Sequence, residues 1–242
     1  MNTTATLEQM KKMKLKGMVS SYQSQLELPL HQQLDAHELI GHLSQSEYLT
    51  RTNERAANYI KMAKLRLLAI PEHVECSVER NLRKEQFTIL LEGNYLKQGE
   101  NILITGATGC GKSFIACALG HQACLQGIKT LYFNMNRFIE RLAMSRVDGS
   151  YIKLLNQLER TPLIILDDFA LQPLSQDVKL AFLQILEDRY AKRSIIIVSQ
   201  IPVSGWHSYI NEPTVADAIL DRLTGKDHRI ELKGESRRKR KK

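Results

Sequence analysis

Residues 101–120 read NILITGATGCGKSFIACALG, and within them Gly106, Gly111, Lys112 and Ser113 stand at the spacing G-x-x-x-x-G-K-[ST]. The chemistry that spacing suits is polyphosphate binding. A polyphosphate needs many N–H donors converging on a small volume, where side chains would obstruct. Gly106, Gly109 and Gly111 remove them and reach backbone angles that other residues avoid. A helix beginning near Lys112 would aim its free N–H groups and positive dipole end at the β-phosphate. Lys112 would then bridge the β- and γ-phosphates, and the Ser113 hydroxyl would bind Mg²⁺. Further along, Leu163-Ile164-Ile165-Leu166 runs into Asp167 and Asp168. Four apolar residues ending in two acids describe a buried parallel strand that delivers carboxylates at its C-terminal edge. Asp167 would hold Mg²⁺ opposite Ser113, and Asp168 would orient and polarise an attacking water.

The elements that must carry these residues follow from periodicity and breakers. A strand precedes the glycine loop, and the helix after it stops at Gly127. Thr130 to Met135 is a second strand, and 136–159 is helical with an interruption at Asp148-Gly149-Ser150. Ser175 opens a helix with Val178, Ala181, Phe182, Ile185 and Leu186 on its apolar face. Ser194 to Val198 is a fourth strand ending at Ser199-Gln200, a polar pair able to hold the lytic water or sense the γ-phosphate. Pro213 suits the first turn of a helix that carries Arg222 and stops at Gly225, and Arg229 to Leu232 is a candidate fifth strand. Residues 1–70 look helical throughout. Thr6 and Gln9 can form a capping box, Asp35 and Glu38 another, and a longer helix is expected from about Ser46 to Leu68. Pro71-Glu72 ends that region, and a polar connector follows to about Asn81.

At 242 residues the chain suits one core domain plus an appendage, and 43% hydrophobic with 25% charged residues is ordinary. The net charge of +8 points to a polyanionic partner, most often nucleic acid. Three cationic sets stand out: Arg51, Arg55, Lys61, Lys64 and Arg66 on the long helix; Arg137, Arg141, Arg146 and Lys153; and a tail, 234–242, ending in six consecutive cations. Each is either a solvated face or a phosphate-backbone contact. No run approaches the roughly 20 apolar residues of a membrane helix, and the first residues lack a secretory apolar core, so a cytoplasmic protein without membrane contact is expected. No C-x-x-C pair occurs among the four cysteines; Cys117 and Cys124 suit helix packing.

Taken in order, GATGCGKS, LIILDDF, IVSQIP, ADAILDRL and GESRR resemble the IstB/DnaC group of AAA+ ATPases, and within it most closely the IstB-like helpers of insertion-sequence transposition. Leu15-Lys16-Gly17-Met18 and the 48–64 helix are similar to that family's N-terminal segment. The resemblance implies an α/β, initiator-type AAA+ P-loop fold with a five-stranded parallel sheet. It implies a helical N-terminal domain at 1–70 for oligomerisation and DNA or partner contact, a linker at 71–81, the ATPase domain at 82–233 and the basic tail at 234–242.

It also implies ATP and Mg²⁺ as cofactors, assembly of a homo-oligomer on double-stranded DNA, and stimulation of a cognate transposase. The loop positions Gly106, Ala107, Thr108, Gly109, Cys110, Gly111, Lys112, Ser113 and Phe114 match the nucleotide cradle. Asp167 and Asp168 match the Walker B pair, and Gln200 or Ser199 falls at sensor 1. Arg222 falls at the arginine finger, and Arg238, or the adjacent Arg237, at sensor 2. Arg141, Arg146 and Lys153 fall where initiator-type members carry a DNA-facing insertion; Arg51, Arg55, Lys64, Arg237 and Arg240 are the other DNA candidates. Aspartate at 168, one methylene shorter than the glutamate of many AAA+ enzymes, implies slow hydrolysis. A helicase loader of the DnaC type is the alternative function, one with nearly the same ATPase core.

Overall fold

The computed structural model describes residues 2–236, which divide into two compact units between Asn58 and Tyr59. The smaller unit holds α1 (Thr3–Lys12), α2 (Lys16–Leu26) and most of α3 (Ala36–Ala63). Helix α1 starts before Thr6 because the Asn2 side chain accepts from Ala5 N at 2.9 Å. Asp35 caps α3 as its spacing suggests, its Oδ1 accepting from His37 N at 2.9 Å and Glu38 N at 2.8 Å. From that cap α3 runs 28 residues without a break, so the two helices expected there are one. It also ends sooner than Leu68, because Lys64 takes a left-handed φ of 51°. The N-terminus of α2 rests on α3, where buried Glu47 accepts from Gly17 N at 2.8 Å and from Arg51 Nε at 2.6 Å.

The larger unit is a five-stranded parallel sheet in the order β2-β3-β4-β1-β5: β1 (Asn101–Gly106), β2 (Thr130–Asn134), β3 (Leu163–Phe169), β4 (Ser194–Ser199) and β5 (Asp227–Leu232). Before β1 come α4 (Lys84–Glu92) and α5 (Asn94–Gln98), and between the strands run α6 (Lys112–Leu125), α7 (Met135–Val147), α8 (Tyr151–Arg160), α9 (Gln176–Arg189), α10 (Trp206–Ile210) and α11 (Pro213–Thr224). Both faces of the sheet are covered. Ile102, Ile104, Leu163 and Ile165 face a core shared with α4 and α6, while Leu103, Ile164, Leu166 and Ile197 face one built on Phe138, Phe182, Trp206 and Ile219. That two-sided burial is why these strands read as continuous apolar runs instead of alternating ones.

The end of β3 departs from regular pleating. Leu166 pairs with Ile197, but Phe169 pairs with Ser199, so one more residue lies on β3 than on β4 between these pairs. The bulge keeps Phe169 on the face of Ile164 and Leu166, where its ring meets Trp206 at 5.0 Å and Tyr209 at 5.4 Å. Asp167 therefore stays in the register of Ile165, and Asp168 is left at the bulge with φ 62°. At the sheet edge, Asn81 Nδ2 donates to Glu231 O and Gln86 Nε2 to Arg229 O, each at 2.9 Å.

At the opposite end of the sheet lies a buried cation. Arg189 is 1% exposed, and burial, with Arg193 nearby, works against its charge. Its guanidinium donates to the carbonyls of Thr161 at 2.7 Å, Pro162 at 3.3 Å, Ser194 at 2.7 Å and also Leu158, tying the starts of β3 and β4 to the end of α8. Arg189→Leu strands those carbonyls in an apolar setting and should cost at least about 3 kcal/mol in urea unfolding followed by circular dichroism. A loss under about 1 kcal/mol would show that the four carbonyls find other donors.

Candidate nucleotide-binding site

Strand β1 delivers the glycine loop to the carboxyl edge of the sheet, and Gly111 turns it into α6 with φ 98°. That left-handed angle is costly for any residue with a Cβ. No side chain caps the first turn of α6, so the helix start presents backbone N–H groups and a positive dipole end to the cleft. Lys112, 7% exposed, curls back so that its ammonium donates to Gly106 O and Ala107 O, both at 2.8 Å. Thr108 Oγ1 donates to Gln200 Oε1 at 2.7 Å, joining the loop to the end of β4. Thr108, Gly109, Gly111, Lys112, Ser113 and Phe114 line a cleft of about 730 Å³ together with Asp168 and Gln200. Cys110 points instead into the core, at 1% exposed.

Asp167 has no exposed surface. Its Oδ2 accepts from Tyr132 OH at 2.7 Å and its Oδ1 from Asp168 N at 2.8 Å. Burial, and the bond to Asp167, push the Tyr132 phenol well above its ordinary range, so it stays a neutral donor. Asp168 Oδ2 accepts twice, from Asn134 Nδ2 at 2.7 Å and from Arg66 Nη1 at 3.0 Å; the same Arg66 nitrogen lies 3.8 Å from Asp167 Oδ2. Partial burial opposes the charge on Arg66, but Tyr132 and the two carboxylates outweigh it and hold the guanidinium above its usual value. A hydroxyl and a carboxylate are the hard oxygen donors Mg²⁺ takes, so Ser113 and Asp167 fit that ion, and the uncapped N–H groups of the loop fit a triphosphate.

The residues expected to form a linker wall the cleft: His73, Val74, Glu75 and Arg80 line it, as do Arg66 and Leu67. Arg80 is buried, donating from Nη2 to Cys110 O at 2.9 Å and from Nη1 to Glu75 O. Arg66, Arg80, Tyr132 and Asn134 were not singled out by motif. Asn134 pairs with Asp167 in register, at the end of its own strand, so the rule that ligands gather at strand carboxyl ends would have found it. Arg66 was hidden among the cations of a helix that ends before it.

Gln200 lines the cleft, whereas the Ser199 hydroxyl donates inward to Phe169 O at 3.0 Å. Arg222 does not line this cleft. It is held by Glu187 at 2.8 Å and Asp221 at 2.9 Å, with its guanidinium 5.9 Å from the Tyr190 ring centre. Arg141 and Lys153, with Arg137, line a second cleft of about 480 Å³ between α7 and α8. Arg146 does not line it and pairs instead with Asp177 of α9 at 3.2 Å. Arg51 is paired with Glu47, while Arg55 and Lys64 are exposed. Arg237, Arg238 and Arg240 lie outside the described residues, and with them six of the eight net positive charges. Burial pushes the Cys117 thiol up to about 11, consistent with a packing role.

Comparison with known proteins adds the family. The model of the IstB-like ATP binding protein family matches residues 8–242. The insertion sequence ATP-binding protein y4pL of Sinorhizobium fredii is 42% identical over 234 residues, covering 97% of this chain and 96% of that protein. Among solved structures, the DnaC helicase loader superposes with a TM-score of 0.59 at 20% identity, covering 68% of this chain and 97% of that one. The replication initiator DnaA bound to AMPPCP and single-stranded DNA gives 0.61 at 20% identity, covering 71% of this chain and 52% of that one. Those two likenesses bear on the fold, which is that of an AAA+ P-loop domain. With a motif-bearing sheet edge and a family match along nearly its whole length, the chain belongs to the IstB-like ATP binding proteins of insertion sequences.

Proposed function

We propose that the chain is an ATPase that assembles on double-stranded DNA and serves the transposase of an insertion sequence. The observation that carries this is the convergence of Lys112, Ser113, Asp168 and Gln200 on one cleft, with Asp167 buried beside it. Lys112 would exchange two neutral carbonyl acceptors for the charged oxygens of ATP, a stronger bond. Asp168 would take the proton of the attacking water, and Gln200 would orient that water. Mg²⁺, held by Ser113 and Asp167, would supply positive charge at the phosphates. The products are ADP and phosphate.

Arg222 would complete a neighbouring protomer's site, which makes assembly depend on nucleotide. An array of protomers then turns weak cationic contacts into stable, salt-sensitive DNA binding. The insertion-sequence names of the relatives support service to a transposase over helicase loading.

Lys112→Ala should weaken ATP binding by at least about tenfold in a fluorescent-nucleotide titration, with circular dichroism unchanged. Arg222→Ala should bind ATP like the parent yet fail to form ATP-dependent oligomers on DNA in light scattering; normal assembly would refute the finger assignment. Removing residues 237–242 should flatten the dependence of log K on log salt by up to about 5, six cations at about 0.9 each. An unchanged slope would place the DNA contact elsewhere.

A further inference from the structure

Cys110 stands between two glycines of the phosphate loop, and both take left-handed angles, φ 83° at Gly109 and 98° at Gly111. Glycine meets no Cβ penalty on either side of zero, so the peptide joining Cys110 to Gly111 could turn over at little cost. Burial of the Cys110 side chain, 1% exposed, anchors its Cα but leaves that peptide free to rotate. The two orientations are not equivalent. A planar trans peptide points its carbonyl and its N–H in opposite directions, so one orientation offers an anion the Gly111 N–H and the other the Cys110 oxygen. Arg80 makes the choice. Its Nη2 donates to Cys110 O at 2.9 Å, and its Nη1 donates to Glu75 O. A Cβ added at Gly111 would lie 3.0 Å from the same Nη2. The arginine is itself held in place. Arg80 O accepts from Lys233 N at 3.1 Å, Arg80 N donates to Ser77 Oγ at 3.4 Å, and Ser77 pairs with fully buried Leu82.

We propose that Arg80 is a positioning residue that fixes the Cys110–Gly111 peptide with its carbonyl toward the wall and its N–H toward the cleft. Lys112 holds the carbonyls of Gly106 and Ala107 from within the cleft, a grip that nucleotide would take over, whereas Arg80 holds Cys110 O from the wall and stays. The loop is thereby set for phosphate before any arrives, and binding does not include the cost of turning the peptide. Arg80 acts through Gly111 and not on the reacting atoms. This inference rests on the ATPase assignment above, and its test separates the two.

The peptide can be observed directly, because Cys110–Gly111 is the one Cys-Gly pair in the sequence. In the full chain labelled with ¹³C-carbonyl cysteine and ¹⁵N-glycine, an NMR correlation through the peptide bond reports on it alone. Without nucleotide, the parent should give one sharp signal. Arg80→Met should split or broaden it, and Arg80→Lys should return most of the intensity to one line. Arg80→Gln, too short to reach both carbonyls, is read in parallel in case Arg80→Met unfolds. In turnover, Arg80→Met should raise KM for ATP by at least about tenfold with kcat within about threefold, because the Gly111 N–H would grip substrate and transition state alike. One sharp line in both Arg80→Met and Arg80→Gln overturns the proposal, as does a fall in kcat larger than the rise in KM. A parent that gives the sharp line but binds no ATP would instead overturn the ATPase assignment, with the line still reporting on Arg80.

Discussion

A carboxylate with no exposed surface sits at the end of β3, an inner strand, and much of the surrounding architecture is a response to its charge. Left alone, a buried Asp167 would cost several kcal/mol, so the structure surrounds it with donors. A tyrosine on the neighbouring strand, the amide of the next residue and a guanidinium within 3.8 Å are what it finds. The bulge in β3 is part of the same solution. It lets Asp167 keep its face and Asp168 leave the pleat, while Phe169 returns to the aromatic cluster that locks the strand end. A cation entering such a place would meet charges already balanced, so that its binding would be an exchange of partners.

Much of the sheet domain was legible in the residues. Glycines at 106, 109 and 111, apolar runs of strand length and acids at one strand's end carry short-range rules that hold wherever a parallel sheet is buried on both sides. The break at Asp148-Gly149-Ser150 and the start at Pro213 fell where expected for the same reason. Helix boundaries in the N-terminal region were less legible. The stretch between Leu43 and Ser46 holds no breaker, so a second capping signal was not needed, and the true stop at Lys64 is a backbone angle that lysine does not advertise.

The rest of the site depended on contacts that no spacing encodes. Residues 71–81 are polar and contain a proline, which suggests a spacer, yet Arg80 from that stretch is buried against the glycine loop. Arg66 belongs in composition to a helix surface and in space to the acids. The basic character of the chain, too, is unevenly distributed. Without residues 237–242 the net charge is +2, so the composition's hint of a polyanionic partner resides largely in the tail.

The two amides at the rim of β5 have a bearing on how copies of this chain can meet. An open strand normally invites another backbone to pair with it. Here the carbonyls of Arg229 and Glu231 are already occupied by Gln86 and Asn81, which form a short side-chain selvedge along that border. A neighbour arriving from that direction must displace both amides before it can lengthen the sheet. Growth by strand addition is thereby discouraged, and any contact between copies along this border would have to be made by side chains instead of a backbone ladder.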